Sequence, residues 1–177
     1  MKTYLEIQVP LRWDAAWFAE LRHACHDVPV IWQRGFYHIT MVFIDDTPED
    51  IDLCPILEKH LSTFPAPEIN FDKLDVFPAT SGMYIINLTA SQVPQSFLSV
   101  IEAIRAEMKG MGCVIDTNFR LHVTLGRVKD PNQDLSIIQE TVNSISLPSF
   151  SLMLRDVDYR VFRGRSIYET KLNSNNI

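Results

Sequence analysis

The sequence predicts one compact domain of mixed strands and helices, in which two similar lobes face each other. Of the 177 residues, 46% are hydrophobic and 21% are charged, which is enough apolar material for a single sizeable core. Strand-like and helix-like segments follow one another without a Gly/Ser linker or a low-complexity tract. The motif His-x-Thr occurs once in each half of the chain. Residues 1–177 are therefore expected to form one domain with an internal duplication.

The first half of the chain predicts the element order β-α-β-α-β. Apolar alternation and helical spacing place these elements at residues 4–9, 13–24, 36–44, 47–61 and 68–77. Pro10 closes the first strand. Thr47 followed by Pro48 is typical of a helix start, with the threonine as the cap and the proline at the first helical position.

The second half predicts the order β-α-β-α-β-β. Its elements are expected at residues 83–89, 95–109, 120–128, 133–144, 147–162 and 166–172. The helix over 95–109 has one apolar face and is expected to end at the glycines Gly110 and Gly112. Arg163-Gly164 predicts the turn of a C-terminal hairpin.

Charge and composition exclude several classes of protein. The net charge of −6 argues against binding to duplex DNA, which depends on a dense Lys/Arg surface. The start MKTYLEIQVP lacks the apolar stretch of a secretory signal, and no run of about 18 apolar residues predicts a membrane span. The cysteines are three, widely separated and without a C-x-x-C pair, which indicates neither a disulfide framework nor a thiolate metal site. We expect a cytoplasmic monomer with no membrane partner and no cofactor.

Two strand-like stretches, YHITMVF and RLHVTLGRV, each contain a histidine and a threonine two residues apart. Side chains alternate across a strand, so His38 and Thr40 share one face, as do His122 and Thr124. The apolar residues between and after them, including Phe43, are expected on the core face. The histidines are 84 positions apart, close to half the chain, so the two polar faces are expected to line one groove. Strict alternation would point Arg127 away from that groove.

Two histidines and two threonines in one groove favour acid–base chemistry on a phosphodiester. Imidazole titrates near pH 6.5, so one ring can accept a proton while the other donates one. Threonine hydroxyls can donate to the non-bridging phosphate oxygens. A single His-x-Thr on a strand is most often an ordinary half-buried pair, but its recurrence at half-chain spacing favours catalysis. A zinc site at His23, Cys25 and His26 is disfavoured because no second ligand pair has suitable spacing.

These residues resemble the paired H-x-T-x motifs of the two-histidine (2H) phosphoesterases, also called the 2′-5′ RNA ligase-like superfamily. HITM and HVTL stand as the two motifs, and the similarity spans nearly the whole chain. Supporting features are the strand ending at Pro10, Trp32, Phe77-Pro78, Arg127 and Tyr168.

The resemblance implies a bilobal α+β fold, with two pseudo-symmetric lobes whose antiparallel sheets flank a central cleft. It also implies a metal-independent enzyme that hydrolyses 2′,3′-cyclic phosphates of nucleotides or RNA ends to 2′-phosphates, with 2′-5′ RNA ligation as the reverse reaction. By the same resemblance, His38 is the proton donor, His122 is the acceptor that activates water, and Thr40 and Thr124 hold the phosphate. Two alternatives stay open: a phosphodiesterase for a different small cyclic or 2′-5′-linked nucleotide, and a nucleotide-binding module without turnover.

Overall fold

The computed structural model describes residues 1–79, 81–130 and 132–174. Its helices are α1 Ala16–Ala24, α2 Cys54–Leu61, α3 Gln95–Gly110 and α4 Leu135–Asn143. Its strands are β1 Thr3–Gln8, β2 Val30–Trp32, β3 His38–Ile44, β4 Glu68–Phe71, β5 Lys73–Pro78, β6 Tyr84–Thr89, β7 Val123–Val128, β8 Phe150–Met153, β9 Asp156–Val161 and β10 Ser166–Lys171. Most of the predicted elements are confirmed, with shifts at their ends.

The main sheet is antiparallel throughout and divides into two lobes. Its strand order is β10-β9-β1-β3-β7-β6-β5, with β2 also paired to β7. We call β10, β9, β1 and β3 lobe 1, and β2, β7, β6 and β5 lobe 2. The lobes meet between β3 and β7, where the only ladder pair within the described residues is Ile39 opposite Val123. The predicted α+β fold with two antiparallel lobes is therefore confirmed.

The lobes do not correspond to consecutive halves of the chain. Strands β9 and β10, from the C-terminal end, complete the sheet of lobe 1. Strand β2, from the first half, pairs with β7 of lobe 2. Helix α3 packs on α2, and α4 packs on β5. The single domain with an internal duplication stays a prediction.

Helix α3 supplies much of the core, as its apolar face predicted. Phe97, Ile101, Ile104 and Met108 are completely buried. After the helix the chain turns at Gly112, whose φ of +89° lies in the left-handed region that glycine occupies without strain. The buried aromatic residue Phe18 of α1 packs edge-on against Trp32 of β2.

Helix α2 begins later than the Thr47-Pro48 pattern predicted. The Thr47 hydroxyl is buried, 3.5 Å from the hydroxyl of Thr3, so it does not cap a helix. The carboxylate of Asp52 accepts a hydrogen bond from the Cys54 N–H at 2.9 Å, and Pro55 occupies the first turn. The predicted start at Thr47 was therefore wrong, because a proline in the first turn favours a helix start at either place and the helix begins beside the second proline, Pro55.

Two predicted long strands are each divided in two. The segment expected at 68–77 becomes β4 and β5, separated at Asp72, whose carboxylate accepts a hydrogen bond from Ser91 N–H at 2.8 Å. The segment expected at 147–162 becomes β8 and β9. Strands β4 and β8 leave the main sheet and pair with each other. The three-residue strand β2 was not predicted, because so short a segment shows no clear periodicity.

Each motif strand contains a β-bulge at the fourth position of H-x-T-x. In lobe 1, Thr40 pairs with Glu6 and Val42 pairs with Leu5, which leaves Met41 as the extra residue. A bulge reverses the alternation of side chains beyond it. Phe43 therefore turns from the core to the polar face, and its predicted core position was wrong.

The bulge in lobe 2 has the same place. Thr124 pairs with Asn87 and Gly126 pairs with Ile86, which leaves Leu125 as the extra residue. As a result, Arg127 turns to the same face as Thr124, contrary to strict alternation. A side chain could not replace the hydrogen of Gly126, since a Cβ there would lie 2.8 Å from a ring carbon of Trp32.

Candidate active site

The four motif residues line one cleft between the lobes. The cleft has a volume of about 670 Å³, within the range of small-molecule sites. His38 and Thr40 face it from β3, and on the other side Thr124 faces it from β7 and His122 from the position just before β7. The predicted groove is thus present, and the residues that sequence reasoning grouped together are brought together by the fold.

The environment of His122 prepares its ring to accept a proton. Nδ1 lies 2.9 Å from the carbonyl oxygen of Arg120. A carbonyl oxygen can only accept, so Nδ1 carries the proton and Nε2 of the neutral ring keeps its lone pair. Burial lowers the pKa of His122, and the hydrogen bond to Arg120 opposes that shift. Phe77 packs edge-on against the ring, with centroids 5.1 Å apart.

His38 has a different environment. Its Nε2 lies 3.5 Å from Oε2 of Glu6, a residue of β1 whose side chain is completely buried. Burial is the main cause that lowers the pKa of His38 to about 4, and the charges of His122, Arg127 and Arg160 add to it. The rings of Tyr4 and Phe36 flank the imidazole.

Glu6 is a site residue that sequence reasoning missed. In the stretch YLEIQV it occupies the polar phase of an alternating strand, which normally predicts a solvent-exposed side chain. In the structure, β1 lies between β3 and β9 in the sheet, and the Glu6 side chain is buried between Thr40 and Asp158 of these neighbouring strands. Burial raises the pKa of its carboxyl to about 7, with Asp158 adding to the shift and Arg160 opposing it. No signal in the sequence distinguishes it from a surface glutamate.

Positive charge lines the cleft although the protein as a whole is acidic. Arg127 is half-buried, and one of its guanidinium nitrogens lies 3.5 Å from Oε1 of Gln33. Lys129 and Arg163 also line the cleft. These groups suit a bound anion, and the bulge at Leu125 is what turns Arg127 toward it.

The outer wall of the cleft is aromatic. Tyr4 and Phe43 both pack edge-on against Phe162, with ring centroids 6.2 Å and 5.8 Å apart. On the opposite side, the guanidinium of Arg120 lies 3.9 Å from the centroid of Phe77. Flat apolar surfaces beside an anion site match the two parts of a nucleotide, its base and its phosphate.

The remaining histidines lie outside this cleft. His23 and His26 are exposed on the end of α1 and the following turn, with ring centroids 5.8 Å apart. His60 contacts Glu107 at 2.7 Å between helices α2 and α3. Within residues 1–79, 81–130 and 132–174, no group of three or more His, Cys, Asp or Glu side chains could hold a metal ion.

None of the described helices is both long enough and apolar enough to cross a membrane. The expected cytoplasmic location and monomeric state stay predictions.

Solved structures with the same fold include nucleotide complexes. Kluyveromyces marxianus Usb1 with uridine monophosphate superimposes with a TM-score of 0.63 at 12% identity, over 97% of this chain and 98% of that chain. The protein TT0787 of Thermus thermophilus gives 0.58 at 16% identity, over 99% and 100%. E. coli LigT complexed with 3′-AMP gives 0.55 at 14% identity, over 97% and 95%. At these identities the similarity concerns the fold.

The sequence profile of the 2′-5′ RNA ligase superfamily matches residues 10–161, a span that contains both His-x-Thr motifs and the cleft-facing Arg127. The chain belongs to the 2′-5′ RNA ligase superfamily.

Proposed function

We propose that this protein is a metal-independent phosphodiesterase that opens 2′,3′-cyclic phosphates of nucleotides or RNA ends to 2′-phosphates. Membership of the superfamily supports action on phosphodiester bonds. The observation that carries the proposal is the pair of cleft histidines with unlike surroundings. His122 is held with its Nε2 lone pair free, and His38 lies beside a buried carboxyl group.

In the proposed reaction the cyclic phosphate lies between the two histidines. The hydroxyls of Thr40 and Thr124 donate to its non-bridging oxygens, and Arg127 compensates its charge. Water attacks phosphorus as its proton passes to Nε2 of His122. The bond from phosphorus to the 3′ oxygen breaks, and that oxygen takes a proton from His38. The product is the 2′-phosphate, and attack by the 5′ hydroxyl of a second RNA end in place of water would form a 2′-5′ linkage by the same proton transfers.

Several features support a nucleotide as the substrate. The aromatic wall formed by Tyr4, Phe43 and Phe162 offers stacking surfaces beside the phosphate position. The E. coli LigT and K. marxianus Usb1 structures contain 3′-AMP and uridine monophosphate, respectively. The net charge of −6 favours a small substrate or a single RNA end over a long RNA.

An assay of the purified protein against the four 2′,3′-cyclic nucleotides, a cyclic-phosphate-ended RNA and a 2′-5′-linked dinucleotide tests this function. We expect hydrolysis of the cyclic phosphates, and phosphorus NMR should show the 2′-phosphate as the product. Activity should survive EDTA. Formation of the 3′-phosphate would contradict the roles of the two histidines, and loss of activity with EDTA that added metal restores would contradict the metal-independent mechanism.

The same panel tests the alternatives. The acidic net charge also fits a phosphodiesterase for a different small nucleotide, which would cleave the 2′-5′-linked dinucleotide and spare the cyclic phosphates. A binding module would retain nucleotides in equilibrium dialysis and turn over none of them.

A further inference from the structure

Glu6 is a buried acid without a hydrogen bond to any described residue, and it lies directly behind His38, a residue of the cleft wall. Its side chain has 0% exposure, and neither carboxylate oxygen has a hydrogen-bond partner within the part of the chain that the structure describes. Its position opposite Thr40 on β3 and opposite Asp158 on β9 puts it on the cleft side of the sheet. Burying an ionised carboxylate without hydrogen bonds is costly, so such a group usually keeps its proton or shares one.

The charges around Glu6 do not balance without an additional proton. Arg160 reaches both nearby acids, with Nη1 at 3.6 Å from Oε1 of Glu6 and 3.4 Å from Oδ2 of Asp158. Asp158 also accepts a hydrogen bond from the Ser166 hydroxyl at 2.7 Å. One guanidinium thus faces two carboxylates. The charge left over is negative, which favours one bound proton, and Nε2 of His38 lies 3.5 Å from Oε2 of Glu6, close enough to share it.

We propose that Glu6 and His38 share one proton at neutral pH, and that this is the proton which His38 delivers to the leaving oxygen. Glu6 is then a positioning residue, because it acts through His38 and does not touch the substrate. The sharing of the proton stands on the geometry of the free protein, whereas its delivery rests on the proposed function.

The direction of the pKa shifts agrees with this assignment. A pKa of about 4 would leave an isolated His38 almost entirely neutral at pH 7, and a neutral ring without another proton source is a poor acid. The carboxyl of Glu6, with its pKa raised to about 7, still binds a proton there. An anionic phosphate in the cleft favours the proton on the imidazole, since the resulting cation faces the anion.

Other charged groups also affect where the shared proton resides. His122 and Arg127 from β7 and Arg160 from β9 oppose a charge on His38. Burial and the charge of Glu6 raise the pKa of Tyr4, on the same strand, so Tyr4 contributes no charge near neutral pH.

The protons taken up and released balance over one turnover. Before attack the Glu6–His38 pair holds one proton and Nε2 of His122 holds none. Nδ1 of His38 is buried without a hydrogen-bond partner in the described part of the chain, so the proton leaves from Nε2. Breaking the bond to the 3′ oxygen moves that proton onto the oxygen, while the proton of the attacking water moves to Nε2 of His122. Release of the proton from His122 to solvent, and uptake of one by the pair, restore the starting state.

Lobe 2 has no acid at the position that corresponds to Glu6. At the place that corresponds to Glu6, opposite Thr124, stands Asn87. Its amide nitrogen donates to the backbone oxygen of Asp75 at 3.0 Å, so the side chain is held by the sheet and cannot titrate. Glu6→Gln would give lobe 1 a comparable neutral amide, which makes it the informative substitution.

NMR titration of the ligand-free protein tests the shared proton without any substrate. Ring ¹⁵N shifts of His38 and the side-chain ¹³C shift of Glu6 should change together, with common midpoints. In Glu6→Gln the titration of His38 should move to lower pH by about one unit or more, because the carboxylate that favours the imidazolium is gone. The curve of His122 should move less.

Glu107→Gln is the matched control, since Glu107 also contacts a histidine, His60, at 2.7 Å but does not line the cleft. It should leave the titration of His38 unchanged. Superimposable His38 curves in wild type and Glu6→Gln would overturn the proposal. If Glu6→Gln does not fold, unrelated midpoints for Glu6 and His38 in the wild-type protein would overturn it equally.

The pH profile of kcat then tests delivery of the proton. With a 2′,3′-cyclic nucleotide, the alkaline limb should shift to lower pH in Glu6→Gln, with at least about a tenfold loss at pH 7.5 and a smaller loss at pH 5.5. Glu6→Asp, which keeps an ionisable carboxyl, should restore part of the wild-type profile. A uniform loss at all pH values would assign Glu6 a structural role only. Shared midpoints by NMR in a protein inactive on every cyclic phosphate would instead contradict the proposed function and leave the shared proton intact.

Discussion

The two motif strands have the same backbone design and different chemical surroundings. In each, His-x-Thr is followed by a bulge at the fourth position and by a side chain at the sixth that turns into the cleft. The sixth residue is Phe43 in lobe 1 and Arg127 in lobe 2. The residue opposite the motif threonine is the acid Glu6 in lobe 1 and the amide Asn87 in lobe 2.

In the proposed reaction, this difference gives the two similar strands unlike roles. Acid–base catalysis at one phosphate needs a donor on one side and an acceptor on the other. The backbone carbonyl of Arg120 accepts from Nδ1 of His122 and leaves Nε2 free, whereas Glu6 lies beside His38 and is proposed to share a proton with it. The two imidazole rings occupy corresponding positions of the two motifs. The residues on the neighbouring strands give each ring different hydrogen-bond partners and charges.

The largest expected effect is the loss of either histidine. His38→Ala and His122→Ala should each reduce kcat on a 2′,3′-cyclic nucleotide by about 10²- to 10⁴-fold, the contribution of one proton transfer. Thermal unfolding should stay near wild type, because both side chains line the cleft. His23→Ala, at an exposed site on α1, is the control and should retain full activity. Retention of more than about a tenth of the activity by either cleft variant would exclude paired histidine catalysis.

A substrate whose leaving group needs no proton should distinguish the roles of the two histidines. With a nucleoside 4-nitrophenyl phosphodiester the leaving phenolate is a stable anion, so His38→Ala should recover to within about tenfold of wild type. His122→Ala should stay as impaired as on the natural linkage, because water still needs a base. Release of nitrophenolate measures both rates. The opposite pattern would exchange the roles of the two histidines.

Substitutions at the sixth position of the two motifs, Arg127 and Phe43, should have smaller effects on activity, and the two effects should differ. Arg127→Met removes the half-buried guanidinium and should lower kcat/KM by about 10- to 100-fold, the value of a hydrogen bond to a charged group. Phe43→Leu, at the corresponding position of lobe 1, keeps an apolar side chain and should cost only a few-fold. Inhibition by inorganic phosphate should weaken in Arg127→Met alone. Equal losses in the two variants would show that Arg127 does not bind the phosphate.

The smallest effect concerns stability as a function of pH. Between pH 4.5 and 7 the folded protein binds more protons at Glu6 than the unfolded chain, so this group favours folding less as pH rises. His38, whose pKa is lowered from 6.5 to about 4, acts with the opposite sign. Glu6→Gln leaves only the second effect, so its melting temperature relative to wild type should rise between pH 5 and pH 8.

Thermal melts of wild type, Glu6→Gln and the control Asp14→Asn at several pH values measure this difference. Asp14→Asn should differ from wild type by a nearly constant amount over pH 5 to 8, because the hydrogen bond from Arg12 lowers the pKa of the Asp14 carboxyl and no histidine of the described residues contacts it. A constant difference for Glu6→Gln as well would mean that the buried carboxyl titrates normally.

The periodic parts of the molecule could be predicted from the sequence. Helix α3 and strands β1 and β3 follow from the spacing of apolar residues, because burial of one face is a local pattern that the chain must repeat. The grouping of His38, Thr40, His122 and Thr124 also follows, because the same motif recurs at half the chain length and each copy shares a strand face.

Only the tertiary structure decided which charged groups surround each of the two cleft histidines. The bulges at Met41 and Leu125 depend on the register of β1 and β6 against the motif strands, and that register is set by packing between segments far apart in the chain. Without them Arg127 would face the core. Glu6 looks like a surface glutamate in the sequence, and it becomes a buried neighbour of His38 only because β9 covers its strand from the other side. The sequence determined which residues meet, whereas burial and strand register, which depend on distant segments, decided the proton and the charge that each one holds.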